Sequence, residues 1–416
     1  MPKVIFVNRF FYPDHSATSQ LLTDLVVNLY GRGMPVAVVC SRNSYQGKDV
    51  EKSLPALPDG IEVRRVWCSK RGHLGLIGKA LDYLTFYITG TIELFRITES
   101  GDILVAKTDP PLIGIPTKLV ARLKNARQVN WLQDVFPEIA AELKMFPRRV
   151  GLLTITKALR NRSLRNADVN VVLGERMHDK VAGFGVPESK ILVIPNWADE
   201  NTIFPLRSDT NPLKKEWNLQ GKFVIGYSGN LGRAHEYQTV LDAAESFRQS
   251  SEIVFLWIGG GVKFADMKDE VKQRGLSNFL FRGYQDSGRL IESLNVPDVH
   301  LVILSPELEG LIVPSKFYGI AAAGRPVIFI GSKSGEIARL VKQYNCGLSV
   351  ETGDPKELVR TIRWVMEHDE ERKAMGENGR EMIVRHFSRR NAHDAWWALI
   401  ERLEPVGVLH RDTKVG

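Results

Sequence analysis

A chain of 416 residues is longer than one hydrophobic core usually serves, so two domains are the starting expectation. With 44% hydrophobic residues the composition excludes a disordered or collagen-like chain, and the net charge of +8 calls for an anionic partner: nucleic acid, anionic lipid or a sugar nucleotide. Cys40, Cys68 and Cys346 are odd in number, far apart and without metal-ligand spacing, which suits a reducing cytoplasm better than a disulfide framework.

The chain runs at once into a strand-like Val4-Ile-Phe-Val7, with no basic, apolar and small-residue sequence of a signal peptide. The loop Asn8 to Gln20 follows, where Ser16 or Thr18 is expected to cap a helix and His15 to hydrogen-bond a ligand. After a second strand, Val36 to Cys40, come Lys70 to Lys79 and an apolar, aromatic run to Phe95, interrupted by Lys79, Asp82 and Glu93 before it could span a bilayer. Strands Ile103 to Ala106 and Gln128 to Leu132 come next, the latter placing Asp134 at its carboxyl end, where a carboxylate can position a hydroxyl or steady developing positive charge. Arg148, Arg149, Lys157, Arg160, Arg162 and Arg165 crowd one amphipathic stretch. Like the Lys70 to Phe95 segment, it suits either a membrane surface or a solvated basic face.

Strands Val169 to Leu173 and Ile191 to Pro195 close this half, and the polar, aperiodic Asn196 to Arg207 is placed as the linker. A second series of valine- and isoleucine-rich runs begins at Phe223 to Tyr227 and continues through Ile253 to Ile258, Phe279 to Arg282, Val299 to Leu304, Val327 to Ile330 and Gly347 to Val350. Such runs alternating with helical patterns are the signature of α/β domains built on parallel sheets. The loop after the first of them, Gly226-Tyr-Ser-Gly-Asn-Leu-Gly-Arg-Ala-His235, offers close backbone approach at Gly229 and Gly232 and a cation, Arg233, suited to an anionic group. Arg282 ends the run Phe279 to Arg282, and Tyr284 lies two residues beyond it. The segment Gly310 to Ile330 reads as loop, helix start, small-residue helix, turn and strand, with Ser315 and Lys316 at the helix start where an anion would be held. Ser388 is placed to cap a last helix, Asn391 to Leu403, whose Trp396 and Trp397 need a packing surface.

Phe10-Phe-Tyr-Pro13, Trp131-Leu-Gln-Asp-Val-Phe-Pro-Glu138, Ile194-Pro-Asn-Trp-Ala-Asp199, Gly226 to Gly232, Trp257-Ile-Gly-Gly-Gly261, Phe281-Arg-Gly-Tyr284, Pro314 to Val327 and Gly335 to Arg339 occur in this order. As an ordered set over nearly the whole chain they resemble the retaining, family-4-like glycosyltransferases of the GT-B fold, above all bacterial members that build surface polysaccharides. The resemblance implies two doubly wound Rossmann-like domains facing across a cleft. Residues 1–198 would form an acceptor domain, 209–387 a nucleotide-sugar domain, and 388–405 a helix crossing back to the first. It implies a hexosyl transfer from a nucleotide-sugar, most readily a UDP-sugar, to a carbohydrate or polyprenyl-diphosphate-linked hydroxyl, with retention and without a cofactor. Asp134, Arg233 and Lys316 would be catalytic. Gly229, Asn230, Arg282, Tyr284, Glu309, Ser315, Lys316 and Glu336 would bind the donor, and His15, Ser16 and Asp134 the acceptor.

The family's paired glutamates register on Leu311 and Gly319, so ribose recognition is expected from Glu307, Glu309 or Glu336, with Glu336 favoured. No Asp-x-Asp occurs, so metal-independent action is expected. The location implied is cytoplasmic, with peripheral contact to the inner, anionic face of the membrane. A sugar-nucleotide epimerase and a non-catalytic nucleotide-sugar-binding subunit stay open as alternatives; nucleic acid is not an expected partner, since no aromatics interleave the basic residues.

Overall fold

A computed structural model describes residues 1–14, 16–43, 57–145 and 150–404, so the expectation for His15 lies outside the described residues, as do those for Arg148 and Arg149. The chain divides into two compact units, Met1–Pro195 together with the segment that begins at Ala392, and Asn196–Asn391.

The first unit is built on β1 (Val4–Val7), β2 (Val36–Ser41), β3 (Glu62–Val66), β4 (Ile103–Lys107), β5 (Arg127–Trp131), β6 (Val169–Val172) and β7 (Ile191–Val193), all parallel in the order β3-β2-β1-β4-β5-β6-β7. Its central strands are buried at every position because helices cover both faces, which is why they read as unbroken apolar runs. The sequence reading passed over β3: Glu62, Arg64 and Arg65 break the apolar pattern, and the strand pairs on one side only, with β2, where charge is tolerated. Helices α1 (Ala17–Gly31), α2 (Leu76–Ile97), α3 (Gly114–Leu123), α4 (Glu138–Glu142), α5 (Val150–Asn166) and α6 (Glu175–Ala182) make the connections. Right-handed crossovers place α1 on one face of the sheet and α2, α3 and α5 on the other, with α3 packed against both α2 and α5.

The second unit carries β8 (Phe223–Asn230), β9 (Ile253–Gly260), β10 (Phe279–Arg282), β11 (Val299–Ile303), β12 (Val327–Ile330) and β13 (Gly347–Val350), again parallel, in the order β10-β9-β8-β11-β12-β13. Around it run α7 (Pro212–Glu216), α8 (Gln238–Glu245), α9 (Phe264–Gln273), α10 (Leu290–Leu294), α11 (Lys316–Ala322), α12 (Glu336–Tyr344), α13 (Pro355–Glu367) and α14 (Asp369–His386), and the chain continues into α15 (Arg389–Leu403). Ile225, Phe255, Leu301 and Ile328 sit in one core cluster that spans the sheet. The aperiodic stretch after Asn196 is held by hydrogen bonds rather than by its own pattern. Arg380 donates to the carbonyls of Glu200 and Ile203, each at 2.8 Å, and Ala198 bridges to Ser388.

Ser388 Oγ accepts the Asn391 amide at 3.1 Å and so caps α15. From Ala392 onward that helix belongs to the first unit. There Trp396 is fully buried, edge-on to Trp131 at 4.7 Å between ring centroids, and His393 Nε2 lies 3.1 Å from Asp24 Oδ2. The Lys107 ammonium is 3.6 Å from the Trp131 ring centroid and donates to the Thr18 carbonyl at 2.6 Å. No helix among the described residues is long and apolar enough to cross a membrane.

Both sheets reverse direction on either side of their first strand, β1 lying between β2 and β4 and β8 between β9 and β11. In open parallel sheets the carboxyl ends at such reversals are where ligands bind.

Candidate active site

At the reversal in the second unit, β8 is buried through Tyr227 and then opens into glycine. Gly229 has φ +127°, and a side chain there would approach Lys316 Cε and Nζ to 3.6 Å. On the neighbouring strand, a Cβ at Gly259, which pairs with Gly229, would lie 2.1 Å from the Gly229 carbonyl. Only glycine lets the two strand ends approach this closely. Lys316, the first residue of α11, turns over this bare backbone: its ammonium donates to Tyr227 Oη at 2.5 Å and stands 3.8 Å from the Tyr227 ring centroid. Tyr227 in turn donates to the Asn230 carbonyl at 2.9 Å and stacks on Trp257 at 4.3 Å. Among the described residues no carboxylate pairs with Lys316, and burial pushes its ammonium down to about 7. Burial without a paired carboxylate disfavours the charged form, which an anion brought to this point would restore.

The loop beyond is fixed by His235, whose Nδ1 accepts the Gly232 amide at 3.1 Å. Burial, then the nearby Lys316 charge, pulls this imidazole down to about 3, so it is neutral near pH 7. The loop is tied to the rest of the unit by Lys263, which donates to the His235 carbonyl, and by the Ser305 amide, which donates to that of Ala234. Arg233 stands exposed at the loop tip, five residues ahead of α8. Asn230 is exposed at the end of β8. Ser315 precedes α11 without a side-chain capping bond, and the amides of Phe317 and Tyr318 already donate to the carbonyls of Pro314 and Ser315.

Arg282 Nη1 donates to its neighbour's carbonyl, and its guanidinium lies 5.5 Å from the Trp217 ring centroid. Tyr284 exposes 62% of its surface beside Gly260, where a Cβ would come within 3.1 Å of its ring. Of the three candidate glutamates, Glu307 is exposed, while Glu309 and Glu336 meet at the start of α12. Glu309 Oε2 accepts the Glu336 amide at 3.2 Å over Gly335, where a Cβ would strike the carboxylate at 2.2 Å. Glu336 is 3% exposed, and its Oε1 accepts from Arg339 Nη2 at 2.5 Å.

The first unit's reversal is acidic. Arg9, directly after β1, reaches Asp109 after β4, with Nε 3.3 Å from Oδ1, while its guanidinium lies over Phe10 and Tyr83 at 4.3 and 4.8 Å. Asp134, three residues beyond β5, caps no helix, since α4 begins at Glu138, and its Oδ1 is buried without a hydrogen-bond partner among the described residues. Burial first, then the charge of Asp109, raises its carboxyl to about 7 against the opposing Thr108 hydroxyl. The expected Ser16 cap is not made. Asp14 Oδ1 instead accepts the Ser16 amide at 2.8 Å, and the Ser16 hydroxyl lies 3.5 Å from that of Thr18. Sequence reading missed Arg9, Asp109 and Tyr227. The first two gain meaning only once β1 and β4 are known to be neighbours, and Tyr227 read as an interior strand residue.

This geometry sits on a chain whose two halves each match a known family. Residues 18–197 match the glycosyl transferase 4-like domain and residues 209–382 the glycosyl transferases group 1. The chain belongs to the family-4-like glycosyltransferases. This glycosyltransferase is 25% identical to the probable glycosyltransferase WbjE of Pseudomonas aeruginosa over 67% of its own length and 70% of that relative. To the putative colanic acid biosynthesis glycosyl transferase WcaI of Escherichia coli it is 26% identical over 59% of its length and 61% of the relative. Among solved structures, Anabaena HepE in complex with UDP and glucose superposes with a TM-score of 0.72 at 14% identity, over 97% of this chain and 100% of that one. The fold is therefore GT-B.

Proposed function

We propose that this glycosyltransferase moves a hexosyl group from a UDP-sugar to a hydroxyl of a carbohydrate or polyprenyl-diphosphate-linked acceptor in bacterial surface polysaccharide synthesis. The reading includes retention of configuration, no metal and peripheral attachment to an anionic membrane. The observation that carries it is Lys316, a buried lysine with no carboxylate partner among the described residues, placed over the glycine backbone of β8. A diphosphate supplies the missing negative charge, and that charge grows as the bond from the anomeric carbon to the diphosphate oxygen breaks, so the contact strengthens toward the transition state. Arg233 adds a second cation, and the exposed ring of Tyr284 offers the base a face. Glu309, with Glu336 once freed from Arg339, takes the ribose hydroxyls. In the first unit Asp134 takes the acceptor hydroxyl, whose oxygen forms the new glycosidic bond while its proton leaves to the departing diphosphate. Support for the base comes from HepE, which holds UDP, and for the pathway from the name of WcaI.

The test is thermal unfolding with a panel of nucleoside diphosphates, since a ligand bound only to the folded state raises its stability. UDP is expected to raise the midpoint and a UDP-sugar to raise it further. No shift with any nucleotide overturns the reading. Metal independence is checked by assaying turnover in excess chelator, where full activity is expected.

A further inference from the structure

The carboxyl edge of the first sheet carries a cleft that the roles given to Lys316 and Asp134 leave unused. Arg42 directly follows β2 and Trp67 directly follows β3. The two strand ends are in register: Ser41 pairs with Val66, and the Arg42 amide donates to the Val66 carbonyl at 3.1 Å. Together with Lys70 and Arg71, Arg42 and Trp67 line a cavity of about 370 Å³, a size that suits a small-molecule ligand. Among the described residues no carboxylate lines it, so its charge is cationic throughout.

The walls are fixed by the fold. Asn43 Nδ2 donates to the carbonyls of Cys68 and Ser69 at 3.1 and 3.2 Å, which ties the end of β2 to the loop after β3. From α2, the buried Asp82 accepts the Ser69 hydroxyl, and it accepts the Arg71 amide at 2.9 Å. The Trp67 carbonyl accepts the Thr89 hydroxyl at 2.7 Å, so the main chain is anchored while the residue stays 57% exposed. Arg42 Nε donates to the Arg65 carbonyl at 3.3 Å, and neither Arg42 nor Arg71 forms an ion pair with a described residue.

These groups select a ligand. An exposed indole at the wall of a polar cavity offers a flat face to the C–H side of a sugar ring, and guanidinium groups bind a carboxylate through paired N–H donors. A second cleft, of about 510 Å³, lies on the α2 side and includes Arg64, Arg65 and Arg96. Its charge is largely balanced. Arg64 and Arg96 approach Glu93 at 3.7 and 3.5 Å, and Arg65 donates to the Tyr12 carbonyl at 2.6 Å. The two clefts share Arg42 and Trp67, so a chain stacked on the indole passes from one into the other, placing an acidic unit beside a neutral one. A single small anion would leave both the indole and the second cleft unused. Adjacent strands lie about 4.8 Å apart, so the end of β3 is about 10 Å along the edge from the end of β1, where the first unit's reversal lies. A glycan whose terminal hydroxyl is at the reversal reaches the cleft with its inner sugars.

We propose that this cleft binds a carboxylate-bearing sugar, a hexuronate or its like, within the acceptor glycan, with Trp67 stacked on the ring and Arg42 and Arg71 on the carboxylate. Calling that glycan the acceptor rests on the functional reading above; the binding itself is tested without nucleotide.

Calorimetry on the full chain uses cellobiuronic acid and digalacturonic acid, with cellobiose as the neutral counterpart and inorganic phosphate as a bare anion. One of the acidic disaccharides is expected to bind about tenfold more tightly than cellobiose, and less tightly as salt is raised. Arg42→Ala with Arg71→Ala is expected to bring acidic and neutral disaccharides to one affinity. Trp67→Ala is expected to weaken both about tenfold, and Trp67→Phe to restore most of that loss. All three variants alter exposed positions, so wild-type thermal unfolding and the wild-type response to UDP are expected. Binding of neither acidic disaccharide, equal binding of cellobiose, equal binding of phosphate, or wild-type affinity in the arginine variant overturns the proposal. Capture by phosphatidylglycerol vesicles that the arginine variant loses, without disaccharide binding, overturns it too and assigns the cleft to a lipid headgroup. A UDP response without disaccharide binding sinks this proposal alone. Disaccharide binding without any UDP response sinks the functional reading and leaves the sugar site standing.

Discussion

The two sheet reversals are built alike and charged oppositely. In the second unit a single ammonium, Lys316, lies against aromatic rings and bare backbone with no carboxylate partner among the described residues; in the first, Asp134 leaves one oxygen buried without a hydrogen-bond partner near a second acid, Asp109. Each group is pushed to about 7 by burial, one downward and one upward. The same desolvation therefore acts in opposite directions on the two groups, disfavouring the charged form of each.

Substituting the lysine gives the largest break in that comparison. Lys316→Ala is expected to lower turnover about 10²-fold to 10³-fold. Thermal stability should stay equal or rise, because an uncompensated ammonium is removed; turnover close to wild type would remove Lys316 from the chemistry. Next comes Asp134→Asn, expected to cost turnover about tenfold to 100-fold with UDP binding unchanged. Its carboxyl holds its proton more tightly folded than at the ordinary 3.8, so the carboxylate costs stability as pH rises from about 4 toward 7. The asparagine variant should therefore unfold at a higher temperature than wild type at pH 8 and at nearly the same temperature at pH 4.

The lysine's pH dependence runs the other way. Its proton is held more weakly folded, near 7, than at the ordinary 10.5, so the ligand-free protein gains stability as pH rises from 7 toward 10.5 and loses it as pH falls. Diphosphate binding restores the proton, so UDP affinity measured by calorimetry should fall by up to tenfold per pH unit above pH 7, with proton uptake on binding. Lys316→Met should flatten that profile. Tyr227→Phe is expected to give the smallest effect, a few-fold rise in donor KM with kcat nearly kept, since it removes one hydrogen bond to Lys316 and leaves the ring beneath it.

Much of this was legible in the residues. Among the described residues twelve of the thirteen strands are marked by apolar runs, the central ones most plainly because strands buried on both faces have no polar alternation to confuse them, and β3 escaped because an edge strand can carry Arg64 and Arg65. Gly229 and Lys316 could be named because phosphate chemistry demands those residue types in those loops. That the ammonium would stand over Tyr227 could not, since the contact joins residues 89 positions apart. Arg9 and Asp109 were hidden for the same reason, their adjacency being a property of strand order. Glu336 looked available as a helix-start carboxylate; its engagement with Arg339, one turn along, appears only with the side chains in place.

The helix Arg389–Leu403 has a consequence for how the protein is made. Trp396 closes over Trp131, beside the buried Lys107 ammonium, in a unit whose other residues precede Asn196. Synthesis therefore delivers a wall of the first unit last, after every strand of the second has been produced. Until that helix arrives, the nascent first unit presents an open indole and a wetted lysine to whatever chaperone or membrane it meets, and a chain halted before Ala392 would leave it in that state permanently.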